Sequence, residues 1–184
     1  GYRGEMIAEF AAGESWPGGV SVQCVDTGLD TPTGGRVARL GGHVGGGRFM
    51  CTYADGVADL DVAELLRWHE GHGRLATMTV VQPELQFGVC EIDEGDGRIS
   101  GFREKPRSEH WINGGFFCFE PGALPYIDAD SVLERAPLEG LARDGELRGY
   151  RHRGFWECMD TYKDAVALND LWASGDPPWR RWDP

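Results

Sequence analysis

Long apolar runs are missing from this sequence. No stretch approaches the roughly 20 residues a membrane helix requires, and the opening GYRGEMIAEF has neither the basic nor the apolar region of a signal peptide. The expectation is a cytoplasmic chain with no membrane partner. Positive charge is scarce too. With 18 Lys and Arg against 30 Asp and Glu, the formal net charge of −12 repels polyanions, so no nucleic acid partner is expected. A small phosphorylated ligand remains open wherever a few cations converge. No two of the five cysteines (Cys24, Cys51, Cys90, Cys118, Cys158) stand at CxxC spacing, and each sits in an apolar or aromatic run, as reduced thiols at or near the core would. Despite 28 glycines there is neither GxGxxG nor GxxxxGK(S/T), which excludes a dinucleotide fingerprint and a Walker loop. WHEGHG is one residue short of HExxH, so His69 and His72 miss the spacing of that zinc motif.

What is present is the balance of a globular domain, 41% hydrophobic and 26% charged, long enough for one sizeable core spanning 1–184. Apolar runs alternate with helical periodicity, the pattern of an α/β sheet with helices packed on it. VSVQCV (20–25) reads as a strand, followed by the loop DTGLDTPTGG (26–35) and a short helix in GRVARLGGHV (35–44). RFMCTYA (48–54) is a second strand, expected to be buried on both faces. DVAELLRWHEGHG (61–73) is a helix capped by Asp61, with Val62, Leu65, Leu66 and His69 on one face, and LATMTVV (75–81) is a third strand. FGVCEID, GRISGFREKP and WINGGFFCFE then read as strands joined by polar turns, an antiparallel or mixed region. Short helices near 121–128 and 137–144, a strand pair near 147–157, a helix from Tyr162 to Trp172 and an extended tail (175–184) complete the chain.

Three aspartates follow the strand in FMCTYADGVADLD. Asp59 and Asp61 suit a turn and a helix cap. Asp55, at the carboxyl end of the strand, suits either a turn or a divalent cation at the ligand-binding edge of an open α/β sheet. Asp160 stands at another strand-to-helix junction, where it can cap the helix or join Asp55 on one metal. In REKP, Glu104 and Lys105 set an acceptor beside a cation at a strand end, which suits a ligand bearing hydroxyls and phosphate, although charged strand ends are also common. In WINGGFF, polar Asn113 interrupts an apolar run, and Gly114 with its neighbour permits either a ligand's approach to the backbone or a bulge. TPTGGR leads into a helix with Thr33 and Arg36 placed to meet an anion.

Taken in order, VDTGLDTPTGGR, TYADGVADLD, FGVCEID, FREKP, INGGFF and GFWECMDT resemble the sugar nucleotidyltransferases, and among them the glucose-1-phosphate cytidylyltransferases, whose ending PPWRRW also resembles. The resemblance implies the nucleotide-diphospho-sugar transferase fold, a Rossmann-like mixed sheet flanked by helices. It implies a reaction in which a sugar 1-phosphate oxygen attacks the α-phosphate of a nucleoside triphosphate. With CTP and glucose 1-phosphate this yields CDP-glucose and pyrophosphate for deoxysugar biosynthesis; UTP, dTTP or GTP are the alternatives to CTP. It also implies Mg2+ held by Asp55 and Asp160, Lys105 on the sugar phosphate, Glu104 and Asn113 on the sugar hydroxyls, and the Gly88 backbone against the sugar. Thr33 and Arg36 would approach the nucleotide at a subunit contact of a homo-oligomer.

The sequence departs from that family in lacking the GGxGTRL triphosphate loop, in a shorter AAGESWPGGVSV connection, and in YAD where YGD is usual. The expectation is therefore an N-terminally incomplete domain without the first strands of the sheet. A non-catalytic sugar-phosphate-binding or assembly module is the alternative of another class.

Overall fold

The computed structural model describes residues 1–181, which divide into two compact units: Gly1–Phe49 with Phe119–Leu147, and Met50–Cys118 with the residues from Arg148 on. In the first unit α1 (Gly4–Gly13) has no buried residue. The segment 20–25 is not the expected strand. A strand exists only where a neighbour supplies the ladder, none does so among the described residues, and Val20 and Val22 lie 53% and 44% exposed. α2 spans Thr33–Leu40, starting before the expected position. A Cβ on Gly34 would strike Ser131, and one on Gly35 the carbonyl of Ala129, so the paired glycines let α2 lie against the chain at 129–131. A 3-10 turn (Pro121–Tyr126) precedes the second half of this unit, where Ala123, Ile127, Leu133, Leu138 and Leu141 are buried.

The strands are β1 (Phe49–Thr52), β2 (Gly56–Ala58), β3 (Ala76–Val81), β4 (Val89–Ile92), β5 (Ile99–Arg103), β6 (Ile112–Phe119), β7 (Leu147–Arg151) and β8 (Trp156–Cys158). A four-stranded sheet runs in the order β1-β6-β3-β7, and β2–β8 and β4–β5 form two antiparallel pairs. The expected strand pair near 147–157 thus separates: β7 joins the large sheet and β8 joins β2, a strand too short for periodicity to reveal. β1 is not buried on both faces; its burial alternates and Met50 is 39% exposed.

α3 (Val62–His72) begins where expected. The Asp61 carboxylate accepts from the Glu64 N–H at 2.9 Å, which holds its pKa below the usual value, and Gly73 ends the helix in the left-handed conformation at φ 63°. Leu65 packs with Leu60 and with Cys118 of β6, beside Phe116 and Tyr150, so α3 covers one face of the sheet. Val62, expected on that face, is 52% exposed. α4 is Ala136–Arg143 and α5 is Tyr162–Ala173. After α5, Pro177 is buried, Arg180 N donates to Pro177 O at 3.0 Å, and Trp179 lies 5.6 Å from Phe155. These contacts make a turn within the segment expected to be extended, whose residues 182–184 lie outside the described residues.

Under α3, Thr77 is fully buried and its hydroxyl meets two imidazoles, His69 Nδ1 and His72 Nε2, each at 2.7 Å. Arg74 N donates to His72 Nδ1 at 3.0 Å, which leaves the proton of neutral His72 on Nε2, donating to Thr77; the Thr77 hydroxyl then donates to His69. Burial, then the neighbouring His69, lowers the His72 pKa below 6.5. That contribution to stability is present above the unfolded-state value and is lost as pH falls through the lower folded-state value. Thr77→Val should cost about 1–3 kcal/mol in urea denaturation, because two ring nitrogens lose their shared partner. The wild-type midpoint should drop between about pH 7.5 and about pH 5.5; a flat profile would contradict the His72 assignment.

Candidate active site

β2 and β8 pair with Gly56 opposite Cys158, Val57 opposite Glu157 and Ala58 opposite Trp156. One step beyond Gly56, Met159 N donates to Asp55 O at 2.8 Å. This register brings Asp55 to the same end of the ladder as Asp160, the residue after Met159. The Cys158 thiol donates to Asp160 Oδ2 at 3.3 Å. Burial pushes that thiol up to about 12, reinforced by the bond to Asp160 and by the charges of Asp160, Asp164 and Asp55. The ladder end is therefore a site of concentrated negative charge.

The choice left open for Asp160, cap or free carboxylate, falls against the cap. Thr161 is the N-cap of α5: its hydroxyl accepts from Asp164 N at 3.2 Å, while Asp164 Oδ2 accepts from Thr161 N at 2.8 Å. Asp59, expected to shape a turn, lies after β2 with Oδ1 2.9 Å from His152 Nε2, an ion-pair distance without hydrogen-bond alignment, since His152 Nε2 is directed to Phe155 O at 3.0 Å.

Lys105 follows β5 with φ 44°, a left-handed backbone that costs a non-glycine residue about 1–3 kcal/mol. The segment on either side holds it there: Leu85 N donates to Pro106 O at 2.9 Å, Ser108 N donates to Pro83 O at 2.8 Å, and Glu84 bridges to Arg107. Lys105 borders a cavity of about 240 Å³ that Thr161 also lines, which brings it to the junction where Asp160 ends. Gly88 and Glu104 meet as well. A Cβ on Gly88 would come within 2.5 Å of Phe102 and 2.9 Å of the Glu104 carboxylate, so only glycine lets both side chains keep their positions.

Asn113 is fixed in place: its Nδ2 donates to the Tyr53 hydroxyl at 3.0 Å and its Oδ1 accepts from Gly115 N at 2.9 Å. Gly114, read from sequence as open to a ligand's approach or a bulge, is packed within the sheet. It is buried, a Cβ there would press on Thr79 O and Val81 at 3.1 Å, and its carbonyl accepts from Trp156 Nε1 at 2.8 Å. In the first unit, Thr33 donates to Glu134 at 2.7 Å and accepts from Leu133 N at 2.9 Å. Arg36 donates to Thr27 Oγ1 at 2.6 Å and to the carbonyls of Gly28 and Leu29, both at 3.1 Å. Both side chains therefore brace their own surroundings.

Glu84 and Lys163, which also line the cavity beside Lys105, belong to none of the motifs above, and Glu157, though within GFWECMDT, was given no role from sequence. Thr161 was within reach, since T-x-x-D before an apolar helix is a capping signature.

Residues 36–143 match the model of the nucleotidyl transferase family. The glucose-1-phosphate cytidylyltransferase of Salmonella typhi is 42% identical over 166 residues, covering 89% of this chain and 64% of that protein. The Bacillus subtilis (strain 168) protein named "Probable glucose-1-phosphate cytidylyltransferase" is 34% identical over 203 residues, covering 99% of this chain and 79% of its own length. The chain thus spans just under two thirds of the Salmonella protein. In three dimensions it matches HddC from Yersinia pseudotuberculosis, solved complexed with GMP-PN, at a TM-score of 0.68 and 14% identity over 93% of this chain and 75% of that one. That likeness concerns the fold alone, the mixed α/β sheet with flanking helices that the resemblance implied.

All five cysteines are free thiols, but Cys24 and Cys90 are exposed rather than near the core, while Cys118 is buried. Iodoacetamide at about pH 8 should therefore label Cys24 and Cys90 first, with Cys158 protected by its suppressed thiolate. Peptide mass spectrometry reads the order, and Asp160→Asn should speed Cys158 labelling. Cys158 reacting as fast as Cys24 in the wild type would refute the suppression of its thiolate.

Proposed function

The chain belongs to the nucleotidyl transferase family, and we propose that its reaction joins CTP to glucose 1-phosphate, giving CDP-glucose and pyrophosphate. The observation that carries this reading is the convergence of Asp55 and Asp160 at one end of the β2–β8 ladder, beside a cavity bordered by Lys105. The names of the similar Salmonella and Bacillus proteins support the choice of base and sugar.

In this reaction an oxygen of the sugar phosphate forms a bond to the α-phosphorus of the triphosphate, and the bond to the β-phosphate oxygen breaks, releasing pyrophosphate. The reactants are both anions, so the protein's task is alignment and neutralisation. Among the described residues no group of three or more His, Cys, Asp and Glu is arranged to hold a metal. Two carboxylates do suit magnesium, which is commonly bound by one or two carboxylates with substrate phosphates and water completing its shell. Asp55 and Asp160 would hold this Mg2+, which when bound would supply positive charge to the phosphates. Lys105 neutralises the sugar phosphate. Glu104, given room by the absence of a side chain at Gly88, accepts from sugar hydroxyls. Asn113, locked by Tyr53 and Gly115, retains one N–H and one lone pair for the same purpose. Gly114 supports Asn113 from within the sheet. Thr33 and Arg36 are proposed on the family resemblance to serve the nucleotide side in a homo-oligomer. Five free cysteines suit a reducing compartment, and a cytoplasmic setting is part of this proposal.

Pyrophosphate release should be measured with magnesium and glucose 1-phosphate against CTP, UTP, dTTP and GTP in turn. CTP should be preferred. Asp55→Asn and Asp160→Asn should each lower kcat by about a hundredfold or more with an unchanged circular dichroism spectrum. Lys105→Ala should raise KM for glucose 1-phosphate by about tenfold and leave KM for CTP nearly unaltered. Near-wild-type turnover in either aspartate variant would refute the site, and preference for another triphosphate would refute the choice of base.

A further inference from the structure

The cavity beside Lys105 contains a second cation to which the reaction above assigns no role. Lys105 enters from the segment after β5, and Lys163 from the first turn of α5. Neither ammonium is held in an ion pair among the described residues. The carboxylate next to Lys163, Asp164, is engaged by the backbone and hydroxyl of Thr161, both at 2.8 Å, in the capping box. Two ammonium groups bordering one space can share the oxygens of a single phosphate. The same space is lined by Glu84 and Glu157. Loss of surrounding water, then Asp164 and Glu84, makes Glu157 hold its proton more tightly than a free carboxylate. The lining therefore asks for a ligand with one phosphate for the lysines and hydroxyl donors for the carboxylates. Three carboxylates in the same wall, Glu84, Glu157 and Asp164, disfavour a more highly charged di- or triphosphate.

We propose that Lys163 is a second phosphate-binding residue, which together with Lys105 takes the phosphate of a sugar 1-phosphate in this cavity. The inference rests on the reaction proposed above and assigns its acceptor substrate to a defined space of about 240 Å³. The positive end of α5 lies at the same wall and adds to the attraction.

Calorimetric titration of the chain with glucose 1-phosphate, without nucleotide, tests it. Lys163 is exposed, so its replacement leaves the core intact, and circular dichroism checks this. Lys163→Met should weaken binding by about tenfold, the scale of a lost charge-assisted hydrogen bond, while Lys163→Arg should stay within about threefold. Affinity for glucose itself, which lacks the phosphate, should be unaffected. Three results would overturn the proposal: Lys163→Met binding within about twofold of wild type, no binding of glucose 1-phosphate by the wild type, or loss of pyrophosphate affinity instead of sugar-phosphate affinity. Parallel pyrophosphate-release assays separate this inference from the reaction it rests on. Wild-type turnover with unaltered binding in Lys163→Met refutes the role of Lys163 and leaves the reaction standing. No wild-type turnover, with binding that depends on Lys163, refutes the reaction and supports the cavity.

Discussion

One backbone hydrogen bond, from Met159 N to Asp55 O at 2.8 Å, sets the geometry on which the candidate site depends. It extends a ladder of only three residue pairs, and the register of that ladder decides which residues share an end. A slip by one position would turn each side chain of β8 to the opposite face and carry Asp160 away from Asp55. The neighbouring contacts hold that register: Trp156 donates to Gly114 O, Asp59 N donates to Phe155 O, and the turn after α5 seats Trp179 against Phe155. A short strand pair is weak alone, so its precision comes from the sheet and loop around it.

Close approach is the second recurring constraint. Gly34, Gly35, Gly88 and Gly114 have no side chain because something else occupies the space: the chain at 129–131, the side chains of Phe102 and Glu104, or strand β3. Glycine therefore acts here mainly through volume. Gly115 adds conformation, with φ 80° and the Tyr53 ring where a Cβ would stand.

The sequence made some of this legible because the responsible physics is local. A capping aspartate, an apolar stripe and a terminal glycine define α3, and alternation with polar turns defines β4 and β5. Asp55 and Asp160 could be singled out because both stand where a strand ends. Non-local effects were harder to read. VSVQCV has strand composition but no partner among the described residues, and β2 is only GVA between aspartates, paired with β8. Asp160 and Thr161 compete for one cap, and the outcome rests on the reach of Asp164 back to Thr161. The packing of Gly114 was not legible because its neighbours Thr79 and Val81 lie on another strand. Lys163 resembles any solvated lysine in a first helical turn until the cavity wall is assembled.

Lys105 has a consequence for how such a protein would respond to selection. Its backbone sits where glycine or asparagine is at ease and lysine is not. Selection for thermal endurance alone would favour relaxing that position, whereas retention of its ammonium favours the strained residue. On the role proposed for Lys105, heat tolerance and ligand use pull a single codon in opposite directions, and libraries screened by melting temperature would enrich variants there that have lost a cation from the cavity.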